Sequence, residues 1–387
     1  MATSRDLTPS VESAYPFAAL EILADDELWW RDHQLWLKQC GYMLRPRFRP
    51  DWTPSWTGTN RNPLSCEDGQ MVTRGNVMDA TRIQDGAIVV LKKIRTSVHP
   101  YEIEIGRFFS DEAVARDPRN HCVPIYDVLD VPRDDDVKLL VMPLLYKFFA
   151  PPFLTVGEAV ECCRQIIEGL QFMHSHHIAH RDCGKLNIMM DPRPLLPKLF
   201  HFAAPSRTHD MSGWVWFESY TRTYRPTKYY HIDFGLSRRF DPTKGPPRAA
   251  PIRGADKTVP EFAKSADPCD PFPTDIYYLG NTMRTVFLQD YLGLDFMKSL
   301  VDEMVQEEPS KRPTIDDVAA HFDSLVQSLS AWKLRSRLPQ RDEHCLLRPF
   351  RVVAHFCRTL YYILTSRPAL PRPLGHPYDD SSRISSK

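Results

Sequence analysis

His180-Arg181-Asp182-Cys183-Gly184-Lys185-Leu186-Asn187 places an acid and an amide five residues apart in one short polar stretch. It follows a segment of helical periodicity and opens into the apolar run Ile188-Met189-Met190. A loop between a helix and a hairpin can aim both side chains into one cleft. Phosphoryl transfer needs a carboxylate near the attacking hydroxyl and an amide oxygen on a metal ion, and Asp182 and Asn187 are residues of those types. Taken alone, such a run is also an ordinary polar turn. Downstream lies a second stretch, His231-Ile232-Asp233-Phe234-Gly235, an apolar strand ending in Asp-Phe-Gly. Two such stretches in this order make the polar-turn explanation hard to sustain.

Together they resemble the H-R-D-L-x-x-x-N and D-F-G signatures of the eukaryotic protein kinase superfamily, and the details resemble a fungal protein-kinase-like family. The resemblance runs from about Met71 to Ser330. It implies an α+β, bilobal fold with a small antiparallel β lobe, a larger helical lobe and Mg-ATP between them. It implies Asp182 as the base that positions the acceptor hydroxyl, with Asn187 and Asp233 as Mg²⁺ ligands. Val89-Val90-Leu91-Lys92 resembles the strand motif V-A-I-K, which makes Lys92 the lysine on the α/β-phosphates. Lys93 should face the other way, since strand side chains alternate. The helical stretch Tyr101–Asp111 resembles the helix whose glutamate pairs with that lysine; Glu102 is favoured there, with Glu104 as competitor. Met142 falls at the gatekeeper position and Pro143-Leu144-Leu145 at the adenine-holding hinge, where Pro143 has no N–H to donate.

Three weaker matches follow. Val259-Pro260-Glu261 resembles A-P-E, Asp275 to Gly280 resembles D-x-W-x-x-G, and Arg312 resembles the arginine that pairs with the A-P-E glutamate. Small-molecule kinases share only the catalytic Asp–Asn and the metal Asp, so these matches favour a protein kinase, with Ser or Thr as acceptor.

The chain also departs from the pattern. With Val77 as the valine of G-x-G-x-x-G-x-V, Gly75 takes the third glycine's place, but Val72 and Gln70 occupy the other two. Those glycines normally let backbone N–H groups approach phosphates. The lysine expected two residues after Asp182 is Gly184, and Lys185 stands one place later as the candidate for the γ-phosphate. Between Asn187 and Asp233 lie 45 residues, so an insertion is expected over Pro192–Arg225, with Trp214, Trp216 and Phe217. The eroded glycine-rich loop supports an alternative, a pseudokinase acting as a nucleotide-binding or scaffold module.

The sequence divides into an N-terminal extension (1–70), a kinase domain (71–330, with N-lobe 71–145 and C-lobe 146–330) and a C-terminal tail (331–387). A helix is expected over Ala18–Cys40, starting near Asp25, where three acids complement a helix N-terminus. Tyr42–Asn62 is rich in Pro, Arg and Trp. Such a stretch can bind single-stranded nucleic acid, or form an extended arm whose Trp52 and Trp56 dock on the parent domain. Strands are expected at Ala87–Leu91, Asn120–Ile125 and Lys138–Met142, and a strong helix at Thr155–Ile178. Leu346–Leu364 is apolar on one side with arginines interleaved. The absence of clustered lysines favours a helix docked on the kinase or a partner over peripheral contact with an anionic membrane. Residues 1–13 and the last fifteen are expected to be disordered.

Lys+Arg and Asp+Glu both number 49, and the zero net charge argues against a nucleic-acid binder. Nine cysteines without a C-x-x-C pair argue against zinc sites and disulfide frameworks. The polar N-terminus lacks a signal peptide's apolar core, and no apolar run is long enough to span a bilayer. These features point to a soluble monomer of cytoplasm or nucleus, acting on a protein substrate the sequence does not name. Arg181 is the type of residue that pairs with an activation-segment charge. Thr243, if phosphorylated, and Asp256 are the two candidates, with Asp256 favoured.

Overall fold

The computed structural model describes residues 20–72, 74–215, 220–252, 254 and 256–373. The disorder expected for residues 1–13 and 373–387 concerns residues that, Pro373 apart, lie outside that set, as do Ala18, Trp216 and Phe217. The chain folds as two compact units. The first contains residues 20–95, 126–144 and 196–215; the second contains 96–125, 145–195 and 220–373.

The first unit is a five-stranded antiparallel sheet with two short helices. Its strands are β1 (Tyr42–Met43), β2 (Val77–Arg82), β3 (Ile88–Arg95), β4 (Asp127–Asp130) and β5 (Val137–Pro143), in spatial order β1-β2-β3-β5-β4. Alternation puts Met78, Ala80, Val89, Leu91, Leu139 and Val141 into one buried layer. That layer is covered by α1 (Asp25–Asp32), α2 (Gln34–Gln39) and the chain after β1, through Trp30, Leu37, Leu44 and Phe48. The expected helix therefore starts at Asp25 but breaks at His33, which caps one helix and opens the next.

The segment set apart as an extension is thus woven into the sheet. Tyr42 pairs with Arg82 and Met43 with Thr81, so β1 is an edge strand of the same sheet. Beyond it the chain is pinned by Arg47, which is fully buried. All five guanidinium N–H groups are used. Glu27 accepts two bonds, at 2.9 and 2.8 Å, and the carbonyls of Leu20, Ile22 and Asp68 accept one each at 3.0 Å. Trp52 and Trp56, expected to dock on the parent domain, lie in a small cluster beside the sheet's own cover that takes in Met71, the first residue of that domain. Trp56 packs with Leu20 and Cys66, with Trp52 and Met71 alongside, because the loop 62–71 folds back on the arm and Asp68 binds the Trp52 indole at 2.9 Å.

The middle of the insertion, residues 196–215, completes this unit. His201, fully buried, bonds Glu67 at 3.3 Å, and Asp210 and Met211 line an open cleft with Trp52 and Asp68.

The second unit is mainly helical. It opens with α3 (Glu102–Ser110) and α4 (Glu112–Ala115), and its spine is α5 (Val156–Ser175). Thr155 caps α5 by accepting the Glu158 N–H at 3.1 Å, and Val160, Cys163, Ile166, Ile167, Leu170 and Met173 are buried as their spacing predicts. Around α5 lie β6 (Tyr146–Lys147), β7 (Ile178–Ala179), β8 (Ile188–Met190), β9 (Tyr229–His231) and β10 (Arg238–Arg239). They form a three-stranded sheet, β6-β8-β9, and the pair β10-β7. The remaining helices are α6 (Pro260–Lys264), α7 (Pro271–Met283), α8 (Lys298–Met304), α9 (Ile315–Gln327), α10 (Ala331–Arg335) and α11 (Arg348–Leu364). The strand expected at Asn120–Ile125 is an irregular segment with a single bridge, Cys122 to His231, because Asn120 and His121 turn inward to bond backbone carbonyls. The tail helix α11 is held on this unit through Tyr362, its one buried residue, which bonds Thr221, and its apolar side is left exposed.

Replacing Arg47 by Met should lower the unfolding free energy in urea by about 3–5 kcal/mol, because Glu27 is then left charged in a dry site. The double variant Arg47→Met/Glu27→Leu should recover part of that loss; no recovery would mean that the carbonyl bonds, not the ion pair, are what Arg47 supplies.

Candidate active site

In the second unit the acid–amide loop is hung from Asp275. This residue lies just past the proline-started N-terminus of α7 and is fully buried. Its carboxylate accepts the backbone N–H groups of His180 and Arg181 at 2.7 and 2.6 Å and the His174 ring N–H at 3.1 Å. Arg181 has φ +67°, a left-handed conformation that is costly for a side chain of this size. The bonds to Asp275 hold that turn, and the turn sets the direction in which Asp182 leaves the chain.

Five residues on, the Asn187 amide nitrogen donates to the Asp182 carbonyl and to its Oδ2, both at 2.8 Å. Both bonds use the nitrogen, so the amide oxygen is left to serve as a ligand. The Asn187 carbonyl accepts from Ile232 N–H at 2.9 Å, tying this loop to the chain that leads into Asp233. His231, one step earlier, is buried and bonds the Ile166 carbonyl at 2.9 Å; burial, with His180 nearby, pushes its pKa down to about 3, so it is neutral.

Asp233 is exposed and also left-handed, at φ +66°, with its side chain accepting the Gly235 N–H at 3.3 Å. Phe234 is buried against Phe109 and His180, each at 5.8 Å between ring centres. Gly235 lies close to two side chains. A Cβ there would fall 3.0 Å from His99 Nδ1 and 3.1 Å from Glu102 Oε2. Glu102 is therefore the glutamate buried beside Asp-Phe-Gly, while Glu104 is exposed.

Arg181 does not meet Asp256, the partner favoured for it. Its guanidinium donates to the carbonyls of Leu236 at 3.1 Å and Ala250 at 2.6 Å. Asp256 is engaged elsewhere, by Thr258 at 2.8 and 2.7 Å and by Asn281. Gly254 lies directly on the acid: a Cβ there would fall 2.2 Å from Asp182 Oδ1. Lys185, expected to reach the γ-phosphate, has its ammonium over the Phe149 ring at 4.4 Å.

In the first unit Lys92 sits mid-strand on β3, facing Val77 on β2 and Leu140 on β5. Lys93 lies over Trp29 of α1 at 4.5 Å, as alternation requires, and burial lowers its pKa. Met142 pairs with Val90 near the end of β5, and Leu144 is buried just beyond it. Gly75 departs from the expectation of a phosphate-loop glycine. Its carbonyl accepts from the Trp30 indole at 3.0 Å, and a Cβ would fall 2.3 Å from Asp26 Cγ. The glycine is required by the packing of α1, and the group beside it is a carboxylate.

The family model described as protein kinase domain matches residues 72–250. The chain belongs to the eukaryotic protein kinase superfamily. Its antiparallel sheet unit and helical unit are the α+β, bilobal fold of that superfamily. Among its relatives is the mitogen-activated protein kinase kinase kinase ANP1 of Arabidopsis thaliana, 23% identical over 74% of this chain and 43% of the relative. Mitogen-activated protein kinase kinase kinase 3 of the same plant is 27% identical over 49% of this chain and 30% of the relative. R436 of Acanthamoeba polyphaga mimivirus, provisionally named a serine/threonine-protein kinase, is 21% identical over 50% of this chain and 67% of the relative. The chain spans less than half the length of these two plant relatives.

Three residues around these loops were given no role from sequence: His99, whose ring bonds the Gly235 carbonyl at 3.0 Å, Asn281, which bonds Asp256, and His180. His180 bonds the Ile232 carbonyl at 3.1 Å and accepts the Asp182 N–H at 3.3 Å. Only His180 carried a signal, its place in the motif. The Glu261–Arg312 pair expected from sequence forms as a two-bond fork, at 2.8 and 2.7 Å, with Thr274 donating to Glu261 at 2.8 Å. Burial raises the Glu261 pKa, but its bonds to Arg312 outweigh that and hold the carboxyl below its usual 4.5. A depressed carboxyl pKa adds stability above the unfolded-state value and loses it as pH falls through the folded-state value. Arg312→Met should therefore cost about 3–5 kcal/mol at neutral pH. The gap to wild type, read from urea midpoints, should narrow as pH drops below the unfolded value; a gap constant with pH would show that Glu261 is not its source.

Proposed function

We propose that this chain is a protein kinase that transfers the γ-phosphate of ATP to a serine or threonine hydroxyl of a protein. The observation that carries this is the tied pair in one loop: Asp182 and Asn187 share two hydrogen bonds at 2.8 Å and hang from buried Asp275. Asp182 orients the acceptor hydroxyl and takes its proton as the oxygen attacks phosphorus. Asn187, with its nitrogen occupied, presents oxygen. Lys92 contacts the donor phosphates. The acceptor class is supported by the name of the viral relative. The Glu261–Arg312 fork favours a protein acceptor over a small molecule, since the resemblance ties it to protein kinases.

The residues fit Mg²⁺. Among the described residues no cluster of three or more His, Cys, Asp or Glu side chains could hold a metal alone. One carboxylate and one amide oxygen, from Asp233 and Asn187, suit an ion that takes its other ligands from water and phosphate. When bound, it supplies positive charge to the phosphate oxygens.

A pseudokinase is the second reading, favoured by Gly75: Trp30 and Asp26 hold the strand turn where a phosphate loop would need open backbone. One experiment separates the two. ADP release from Mg-ATP, with phosphate incorporation into a mixed protein substrate, should fall at least about 10²-fold in Asp182→Ala. Asp233→Asn should weaken Mg-ATP binding more than metal-free ATP binding. No ADP release from wild type, together with unchanged nucleotide binding in Asp182→Ala, would establish the pseudokinase.

A further inference from the structure

Helix α11 is amphipathic, and it lies on its unit the wrong way round for a helix of a folded domain. An ordinary surface helix buries its apolar stripe and shows its polar side. Here the polar side faces inward. Tyr362, 4% exposed, bonds the Thr221 hydroxyl, and Arg351 reaches Glu343 at 3.1 Å. The segments on either side are fixed as well. Arg337 pairs with Glu343, Arg335 donates to the Arg367 carbonyl at 2.5 Å, and Ala369 and Leu370 pack on the core around α5. The orientation is therefore set by both ends and is not that of a loose tail.

The outward side carries Phe350, Val353, Cys357, Leu360 and Leu364, spaced 3, 4, 3 and 4 residues apart, a continuous stripe along the helix. Phe350 is 75% exposed, Phe356 68%, Val353 63% and Leu364 75%. Monomeric proteins seldom leave so large an apolar face open.

Charge identifies the occupant. From His344 to Tyr378 the sequence holds five arginines and no acid, although the whole chain is neutral. Arg348, at the start of the helix, and Arg372, beyond its end, are exposed. Beneath it lies a cavity of about 500 Å³, where Arg222, Arg337, Arg351 and Arg358 outnumber Glu158 and Glu343. Both glutamates are already engaged, Glu343 by arginines and Glu158 by Thr223 and the Leu154 N–H. Helix α11 of a second copy would bring cations and no acid of its own, with Asp342 the nearest exposed acid before it in sequence. An anionic bilayer brings negative headgroups at the rim and hydrocarbon beneath the stripe. We propose that α11 seats this chain on an anionic membrane surface, with the Phe350–Leu364 stripe in the interface and Arg348 and Arg372 among the headgroups.

The test is sedimentation of the full 387-residue chain with phosphatidylcholine vesicles, with and without phosphatidylserine. Wild type should bind the mixed vesicles about tenfold or more tightly than the neutral ones, and added salt should weaken that binding. Phe350→Asp/Phe356→Asp should abolish binding while leaving the thermal midpoint unchanged, because both rings are exposed. Arg348→Glu/Arg372→Glu should remove the preference for phosphatidylserine and likewise keep the fold. No vesicle binding, equal binding to neutral vesicles, or binding untouched by the Phe double variant would each overturn the proposal. Light scattering supplies the rival outcome: a dimer that the Phe double variant dissociates, without vesicle binding, would assign the face to a second copy. The ADP-release assay does not enter this test, so its failure and a failure of the kinase reading are separate results.

Discussion

Two backbone N–H groups bound to one buried carboxylate hold the candidate active site in place. Asp275 is fully buried, and a charge there is tolerable only because His180, Arg181 and His174 donate to it. In return it stabilises a left-handed residue at 181 that would otherwise relax. Everything chemical in the second unit depends on that turn. Asp182 follows it, Asn187 bonds Asp182, and Asn187 in turn holds the approach to Asp233. A second left-handed residue, Asp233, ends the series and shows its carboxylate to solvent. The strain is concentrated where the function needs fixed directions, and ordinary core packing of α5 surrounds it.

The first unit solves a different problem. Its sheet has one apolar layer, and in this chain the N-terminal segment provides the cover for it. Arg47, with every donor used, locks that segment to Glu27 and three carbonyls. The same arrangement brings Trp30 and Asp26 onto Gly75. Loss of two glycines upstream and gain of a covering helix are thus one structural fact. Backbone that is held by an indole and faced by a carboxylate has no use for the freedom glycine gives a phosphate loop.

The sequence by itself determined whatever is set by spacing along the chain. The five-residue step from Asp182 to Asn187 became a hydrogen-bonded pair, the periodicity of α5 became its buried face, and alternation sent Lys92 and Lys93 to opposite sides of β3. The motif order also foretold the Glu261–Arg312 fork across fifty-one positions. Tertiary structure alone decided which partner a side chain with several options would take. Arg181 found the carbonyls of Leu236 and Ala250, and Asp256 found Thr258 and Asn281, because the path of the loop between them is fixed by packing, not by composition. Likewise the periodicity of α11 defined an apolar stripe but not the direction it faces. That direction was set by a buried tyrosine and by chain ends anchored far away in sequence, on Thr221 and on the core around α5. Period and propensity are local properties of the backbone. The choice among equivalent hydrogen-bond acceptors, or between the two sides of a helix, is settled by which groups the rest of the fold brings within reach.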